Sequence, residues 1–200
     1  MNRRVIFAVL ALVVLIFAGA VYYELSRPAT IYGSMIDPPK PMPDFSLQSA
    51  GGAVKLSDFR GKYTLLYFGY TSCPDICPTT LSGLKAALSE LGSQAAGQVQ
   101  VVFVSVDYKR DTPARVSAYA QAFSQDFVGL GGTQAQIDQI TQEYGIYYKL
   151  NDPDPKTGYY SVDHTAIVLV LDRQGNLVMT WDYGQQPDEI ASDLRSLLKK

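Results

Sequence analysis

Side chains that bind metals or carry redox chemistry are scarce in this chain: 200 residues hold two cysteines, one histidine and four methionines. Two cysteines cannot build a disulfide scaffold of the kind that substitutes for a core in small exported domains. Both lie within Cys73-Pro74-Asp75-Ile76-Cys77, so a bridge between them would close almost no loop and contribute little through chain entropy. Reactivity is the better reason for the pair. With a single histidine beside them, a structural zinc site is short of a fourth Cys or His ligand. Met35, Met42 and Met179 are scattered and form no methionine-rich metal motif. An excess of positive charge is also missing. Seventeen Lys and Arg against 19 Asp and Glu give a net charge of −2, and nucleic-acid binding wants a basic face. No internal repeat is visible. The 47% hydrophobic content suits a real core, and the length suits one domain with extensions.

The exception to this ordinary composition is the N-terminus. Residues 5–23 carry no charge, follow Arg3 and Arg4, and precede Arg27. Such a run is just long enough to span a bilayer, and the arginine bias places the N-terminus in the cytoplasm and the body outside. The competing reading is a cleaved signal peptide, with Ala18-Gly19-Ala20 as a small-residue cleavage site. No cysteine follows the run before Cys73, which excludes a lipidated N-terminal cysteine. A Ser- and Arg-rich amphipathic leader is absent, so a mitochondrial origin fits poorly. We therefore expect a membrane anchor (or signal peptide) over residues 1–24, a proline-rich tether over 25–42 and a globular domain over 43–200. Pro28, Pro38, Pro39 and Pro41 make the tether extended rather than helical.

Within the domain, residues 44–56 alternate apolar and polar around Gly51-Gly52, as a β-hairpin does. Residues 64–70 and 99–106 are apolar on both faces, as buried parallel strands are. Leu81, Leu84, Leu88 and Leu91 mark one face of a helix stopped by Gly92. Thr112-Pro113 is a helix N-cap and first turn, with Asp107 read as part of the same helix start. Residues 127–130 suit a short strand, and Ile137, Ile140 and Tyr144 a third helix ending at Gly145. Residues 146–160 read as a long turn between tyrosine-rich arms, then 166–171 and 177–181 as an antiparallel hairpin, and Pro187 opens a last helix. The order predicts an α/β fold: a thioredoxin-like mixed sheet flanked by helices, with an N-terminal β-hairpin, an inserted hairpin before the histidine, and one transmembrane helix ahead of it.

The cysteines fall at the first strand-to-helix turn, where partial positive charge favours thiolates. Pro78 lacks an amide to bond the carbonyl of Pro74, so the sequence predicts a loop over 73–77 and regular helix from about Pro78. Two thiolates supply two ligands, and His164, in Val162-Asp163-His164-Thr165, is the obvious third. Sulfur selects soft ions such as Cu(I), and imidazole also suits Cu(II). Cys73, Cys77 and His164 together would hold Cu(I) in a three-coordinate site. Asp75 and Asp163 are candidates for outer hydrogen bonds or simply solvated turn residues. Tyr147, Tyr148, Tyr159 and Tyr160 suit a covered hairpin or a docking surface. A metal-independent thiol–disulfide oxidoreductase would explain the dithiol but not the histidine. A thiol peroxidase would explain Thr71-Ser72-Cys73, but its upstream proline and arginine partners are not evident.

The stretch Tyr70-Thr71-Ser72-Cys73-Pro74-Asp75-Ile76-Cys77-Pro78 resembles the CxxxCP signature of the Sco/SenC proteins. The resemblance continues through Phe103-Val104-Ser105-Val106-Asp107, Arg110-Asp111-Thr112-Pro113, Phe127-Val128-Gly129-Leu130 and Tyr160-Ser161-Val162-Asp163-His164-Thr165. Thr165 stands where serine is commoner, and both offer a hydroxyl. The resemblance implies a copper chaperone with ligands at Cys73, Cys77 and His164. It also implies assembly of the CuA centre in subunit II of cytochrome c oxidase, by copper delivery, by reduction of that subunit's cysteines, or by both. Another periplasmic copper chaperone or a thiol reductase would be a further partner. The implied location is the cell membrane, with the domain on the extracytoplasmic face.

Overall fold

The computed structural model describes residues 7, 12–19, 22 and 30–199. The chain divides into a unit ending at Thr30 and a unit beginning at Ile31. In the first, residues 12–19 are helical. The expected membrane span falls largely outside the described residues, and among those described no helix is long and apolar enough to cross a membrane.

The second unit is built on a six-stranded mixed sheet in the order β1 (Ser34–Pro41), β10 (Asn176–Trp181), β9 (Val168–Leu171), β4 (Tyr63–Gly69), β5 (Val99–Ser105), β6 (Val128–Leu130). At its centre β4 (Tyr63–Gly69) and β5 (Val99–Ser105) run parallel, and β6 (Val128–Leu130) continues the parallel set. β9 (Val168–Leu171) and β10 (Asn176–Trp181) join the other side antiparallel. Every residue of β4 is buried, as its two-faced apolar sequence requires of a central strand. Tyr67 and Phe68 show how the pleat divides the core. The Tyr67 ring meets Phe103 on one face, and Phe68 meets Tyr144 on the other.

The four longest helices described in this unit are α1 (Ile76–Leu91), α2 (Pro113–Phe123), α3 (Gln134–Tyr144) and α4 (Pro187–Leu198). α1 ends at Gly92, and α3 at Gly145 in the left-handed region with φ of 69°, a conformation glycine adopts without a Cβ penalty. Thr112 and Thr133 cap α2 and α3, accepting from the backbone amides of Arg115 and Gln136. The expected N-terminal hairpin forms as β2 (Ser46–Ser49) and β3 (Gly52–Lys55). It is joined to the sheet edge through mutual Gln48 and Gly131 backbone bonds of 2.8 and 2.9 Å. The hairpin expected before the histidine contains it: β7 (Tyr148–Leu150) pairs with β8 (Val162–His164), whose last residue is His164.

The sheet begins earlier than the tether expectation allowed. Ser34–Pro41 is β1, paired antiparallel with β10 and irregular between Met35 and Lys40. Proline cannot donate to a ladder, but an edge strand has one side with no ladder to serve. The strand is mostly exposed, which is why its sequence carries no apolar alternation. A buried Asp193 in α4 fastens the segment just ahead of β1: it accepts from Tyr32 N–H (2.9 Å), Gly33 N–H (2.8 Å) and the Trp181 indole (2.9 Å).

Candidate metal centre

The topology brings three segments to one end of the sheet. β4 and β5 are parallel with Gly69 opposite Ser105, so the dithiol loop after β4 and the loop after β5 leave side by side. β9 runs against β4 with Val168 opposite Tyr67, so the residues just before β9 return to the same end. His164 is therefore delivered to the dithiol by strand register.

The dithiol loop is anchored at both ends. The Cys73 amide closes a turn on the Tyr70 carbonyl at 3.3 Å. Upstream, Thr71 gives its amide (2.8 Å) and hydroxyl (2.6 Å) to Asp111. Asp111 is buried and also accepts from the Ser105 hydroxyl at 2.6 Å. Helix α1 starts at Ile76, two residues before the expected point. The amide missing from Pro78 costs nothing there, because the first-turn amides of a helix have no intrahelical acceptor; the first bond runs from Thr79 to the Asp75 carbonyl at 3.1 Å. The amide of Cys77 is one of those orphans, and it donates to Cys73 Sγ at 3.4 Å. Cys73 thus caps the helix that carries Cys77.

Cys77 is fully buried and Cys73 half-buried. The Tyr67 hydroxyl donates to Cys77 Sγ at 3.7 Å, and His164 Nε2 lies 3.5 Å from the same sulfur. Gly69 makes room for that sulfur, since a Cβ there would stand 2.7 Å from it. His164 Nδ1 is 3.1 Å from the carbonyl of Thr165. A carbonyl only accepts, so Nδ1 carries the proton and the Nε2 lone pair faces the sulfurs, as second-shell partners of ligating histidines arrange. One donor atom from each of Cys73, Cys77 and His164 lies within 4.8 Å of the others, a cluster able to hold a metal ion. The rings of Tyr70 and Tyr67 stand edge-on to the imidazole at 5.9 and 6.2 Å.

The two thiols are unequal. The Cys73 thiol is pulled down to about 5 by the hydrogen bond Cys77 offers it, helped by the Cys77 and Asp75 amides and the Tyr70 hydroxyl. The Cys77 thiol is pushed up, by donating to Cys73 and by burial. The nucleophile is the thiolate. In the metal-free reduced chain, alkylation of Cys73 is therefore expected to be near its full rate at pH 7 and to fall as pH drops through about 5. Cys77 should stay unlabelled. Iodoacetamide labelling followed by peptide mass spectrometry checks this. A Cys73 profile centred near the ordinary 9.0 would contradict the arrangement.

Several residues sit differently from their sequence reading. Asp107, read as part of a helix start, is fully buried and paired with Arg110 and the Tyr160 hydroxyl. The carboxylates of Asp75 and Asp163 do not reach the centre: both residues are exposed, their side chains engaged with Thr79 and Asn151 respectively. Of the tyrosines, Tyr147 and Tyr159 are exposed while Tyr148 and Tyr160 are partly covered. Tyr67, Gly69 and Asp111 were not singled out from sequence. Their only signal is position, beside the strand end that carries the cysteines or inside the Arg110-Asp111-Thr112-Pro113 stretch.

The SCO1/SenC family model matches residues 34–199. The SCO2-like protein of Rickettsia felis is 31% identical over 98% of this chain and 98% of its own length. The solution structure of apo Sco1 from Thermus thermophilus shares 41% identity and a TM-score of 0.77, covering 84% of this chain and 98% of that one. The copper-bound structure of ScoI from Bradyrhizobium japonicum shares 37% identity and a TM-score of 0.70, covering 78% of this chain and 99% of that one. The mixed sheet with a dithiol at its first βα turn is thus the thioredoxin-like Sco fold, and the match runs from the first strand to the last helix: the chain belongs to the SCO1/SenC family.

Proposed function

We propose that this protein is a membrane-tethered, extracytoplasmic copper chaperone that assists assembly of the CuA centre of cytochrome c oxidase, with Cys73, Cys77 and His164 as the copper ligands. The observation that carries the reading is the convergence of two sulfurs and one imidazole nitrogen within 4.8 Å, with Nδ1 already bonded and Nε2 directed inward. The donor set fits copper: thiolates suit Cu(I), imidazole suits both oxidation states, and three ligands satisfy Cu(I). Copper is cargo in this reading. Cys73, half-buried and readily ionised, is the sulfur that an incoming partner ligand reaches first; buried Cys77 is the last to let go. Subunit II of cytochrome c oxidase is the recipient, and a periplasmic copper chaperone or thiol reductase the upstream partner. Residues 1–24 anchor the domain to the cell membrane; the support for this is the uncharged run behind Arg3 and Arg4. The spacer that follows ends where β1 begins, at Ser34.

The same dithiol supports a second reading, a metal-independent thiol–disulfide oxidoreductase. One observation favours it: an ionised, accessible thiol beside a buried protonated one is the usual division between attacking and resolving cysteines. Oxidation of the Cys73 thiolate and Cys77 thiol to a disulfide passes two electrons to a partner disulfide, releases one proton and removes two ligands, so redox state would switch the protein between its two chemistries. Titration of the full chain is expected to show one copper per reduced protein, a thiolate–Cu(II) charge-transfer band, and no binding once the dithiol is oxidised. A reduced, folded chain that takes up no copper ends the first reading and leaves the second, which a measured reduction potential then tests.

A further inference from the structure

The hairpin that carries His164 is not part of the main sheet. β7 and β8 are three residues each and form a two-stranded sheet of their own, and an isolated pair of that size is marginal in water. Buried Val162 and the Tyr148 hydroxyl, which donates to Asp138 of α3, tie its far side to the rest of the unit. On the side of the centre the loop after β5 holds it through Asp107 and Arg110, whose side chains are 0% and 22% exposed and form an ion pair. Both reach into the hairpin at Tyr160. The Tyr160 hydroxyl donates to Asp107 Oδ1 at 2.8 Å, and Arg110 Nη1 donates to the Tyr160 carbonyl at 2.8 Å. The guanidinium carbon stands 3.6 Å over the Tyr160 ring.

The same guanidinium also faces the rings of Tyr159, at 5.6 Å, and of Tyr70, at 5.8 Å, and Tyr70 belongs to the other half of the centre. Tyr70 accepts the Cys73 amide and sets its ring edge-on to His164 at an interplanar angle of 85°. One guanidinium therefore bridges Tyr70, three positions ahead of Cys73, and Tyr160, two positions ahead of β8. Arg110 Nη2 is buried with no acceptor among the described residues.

From this geometry we infer that the Asp107–Arg110 pair is a positioning device: it pins the β7–β8 hairpin through Tyr160 so that His164 Nε2 stays beside the two sulfurs, and so sets the copper affinity. The inference rests on the copper reading above. Arginine suits the task because its planar fork serves a carboxylate and a carbonyl while its face lies on a ring; lysine offers a point charge only.

The test is Cu(I) competition against a chelator with the full, reduced chain, run as a double-mutant cycle. Arg110→Gln is expected to weaken binding roughly 10-fold, the range of outer-shell changes at metal sites, and Arg110→Lys to leave most of that loss in place. In a His164→Ala background, Arg110→Gln should change affinity by less than about 2-fold, the limit of ordinary non-additivity. That last result separates positioning of the histidine from general loosening of the fold. Should Arg110→Gln fail to fold, Tyr160→Phe deletes the bond to Asp107, keeps the ring, and enters the same cycle with roughly a 3-fold loss expected. Equal losses with and without His164, or no loss at all, overturn the inference while leaving the copper reading standing. A wild-type chain that binds no copper overturns both.

Discussion

Cys77→Ser is expected to weaken Cu(I) binding by on the order of 10²- to 10⁴-fold while leaving the fold intact. The substitution keeps the volume at a fully buried position and gives the Tyr67 hydroxyl an oxygen in place of a sulfur. What it removes is the soft donor 3.5 Å from His164 Nε2. A serine hydroxyl stays protonated and is a hard ligand that copper(I) does not select. Metal binding of about 10–16 kcal/mol divided over three or four ligands gives roughly 3–5 kcal/mol per donor, and each 1.4 kcal/mol is about tenfold in affinity. Cys73→Ser should lose a similar amount, and should also lose the low-pH alkylation. Competition with a Cu(I) chelator reads the affinity, and near-UV circular dichroism the fold. An affinity within about 3-fold of wild type would remove Cys77 from the ligand set.

Gly129→Ala is expected to produce the largest loss of stability, about 3 kcal/mol, the upper range for forced overpacking of a core. Gly129 is a buried residue of β6 and pairs with Phe103. A Cβ there would lie 2.2 Å from the carbonyl oxygen of Val116, 2.5 Å from its carbon and 2.8 Å from the amide nitrogen of Ser117. These are backbone atoms of α2, which no rotamer change can clear. The whole helix would have to retreat, breaking the bond from the Ser117 hydroxyl to the Gly129 carbonyl at 3.1 Å. At this chain length such a loss lowers the melting temperature by roughly 6–12 °C. The centre should loosen too, because α2 follows directly on Asp111, which grips Thr71, and its Tyr119 ring packs on Phe103 at 5.3 Å. Urea unfolding with tryptophan fluorescence at Trp181 measures the change. A destabilisation below about 1 kcal/mol would show that the helix yields more easily than backbone packing allows.

Much of the fold was legible because periodicity and stop signals act locally. Leu81, Leu84 and Leu88 mark the inner face of α1, and Gly92 and Gly145 end helices where expected. Proline misled twice, in each case because its effect depends on place. At Pro78 the missing amide fell in a first turn, and in β1 the prolines fell on a sheet edge. Neither fact is local to the residues concerned. Asp107 misled for a related reason: a carboxylate before a Thr-Pro helix start looks like a helix-entry residue until Arg110 and Tyr160 close over it.

For the proposed centre, composition narrows the candidates, since two thiols and one imidazole are all the soft and borderline ligands this chain has beyond its methionines. It also separates them into a pair and a distant single residue. That the single residue meets the pair across 87 positions is a property of the sheet, which lays β9 against β4 with Val168 opposite Tyr67. The same holds for the inequality of the thiols, the tautomer of His164 and the clamp at Arg110. Each depends on hydrogen bonds between segments far apart in sequence, and such bonds leave no period, cap or turn by which a linear reading could find them.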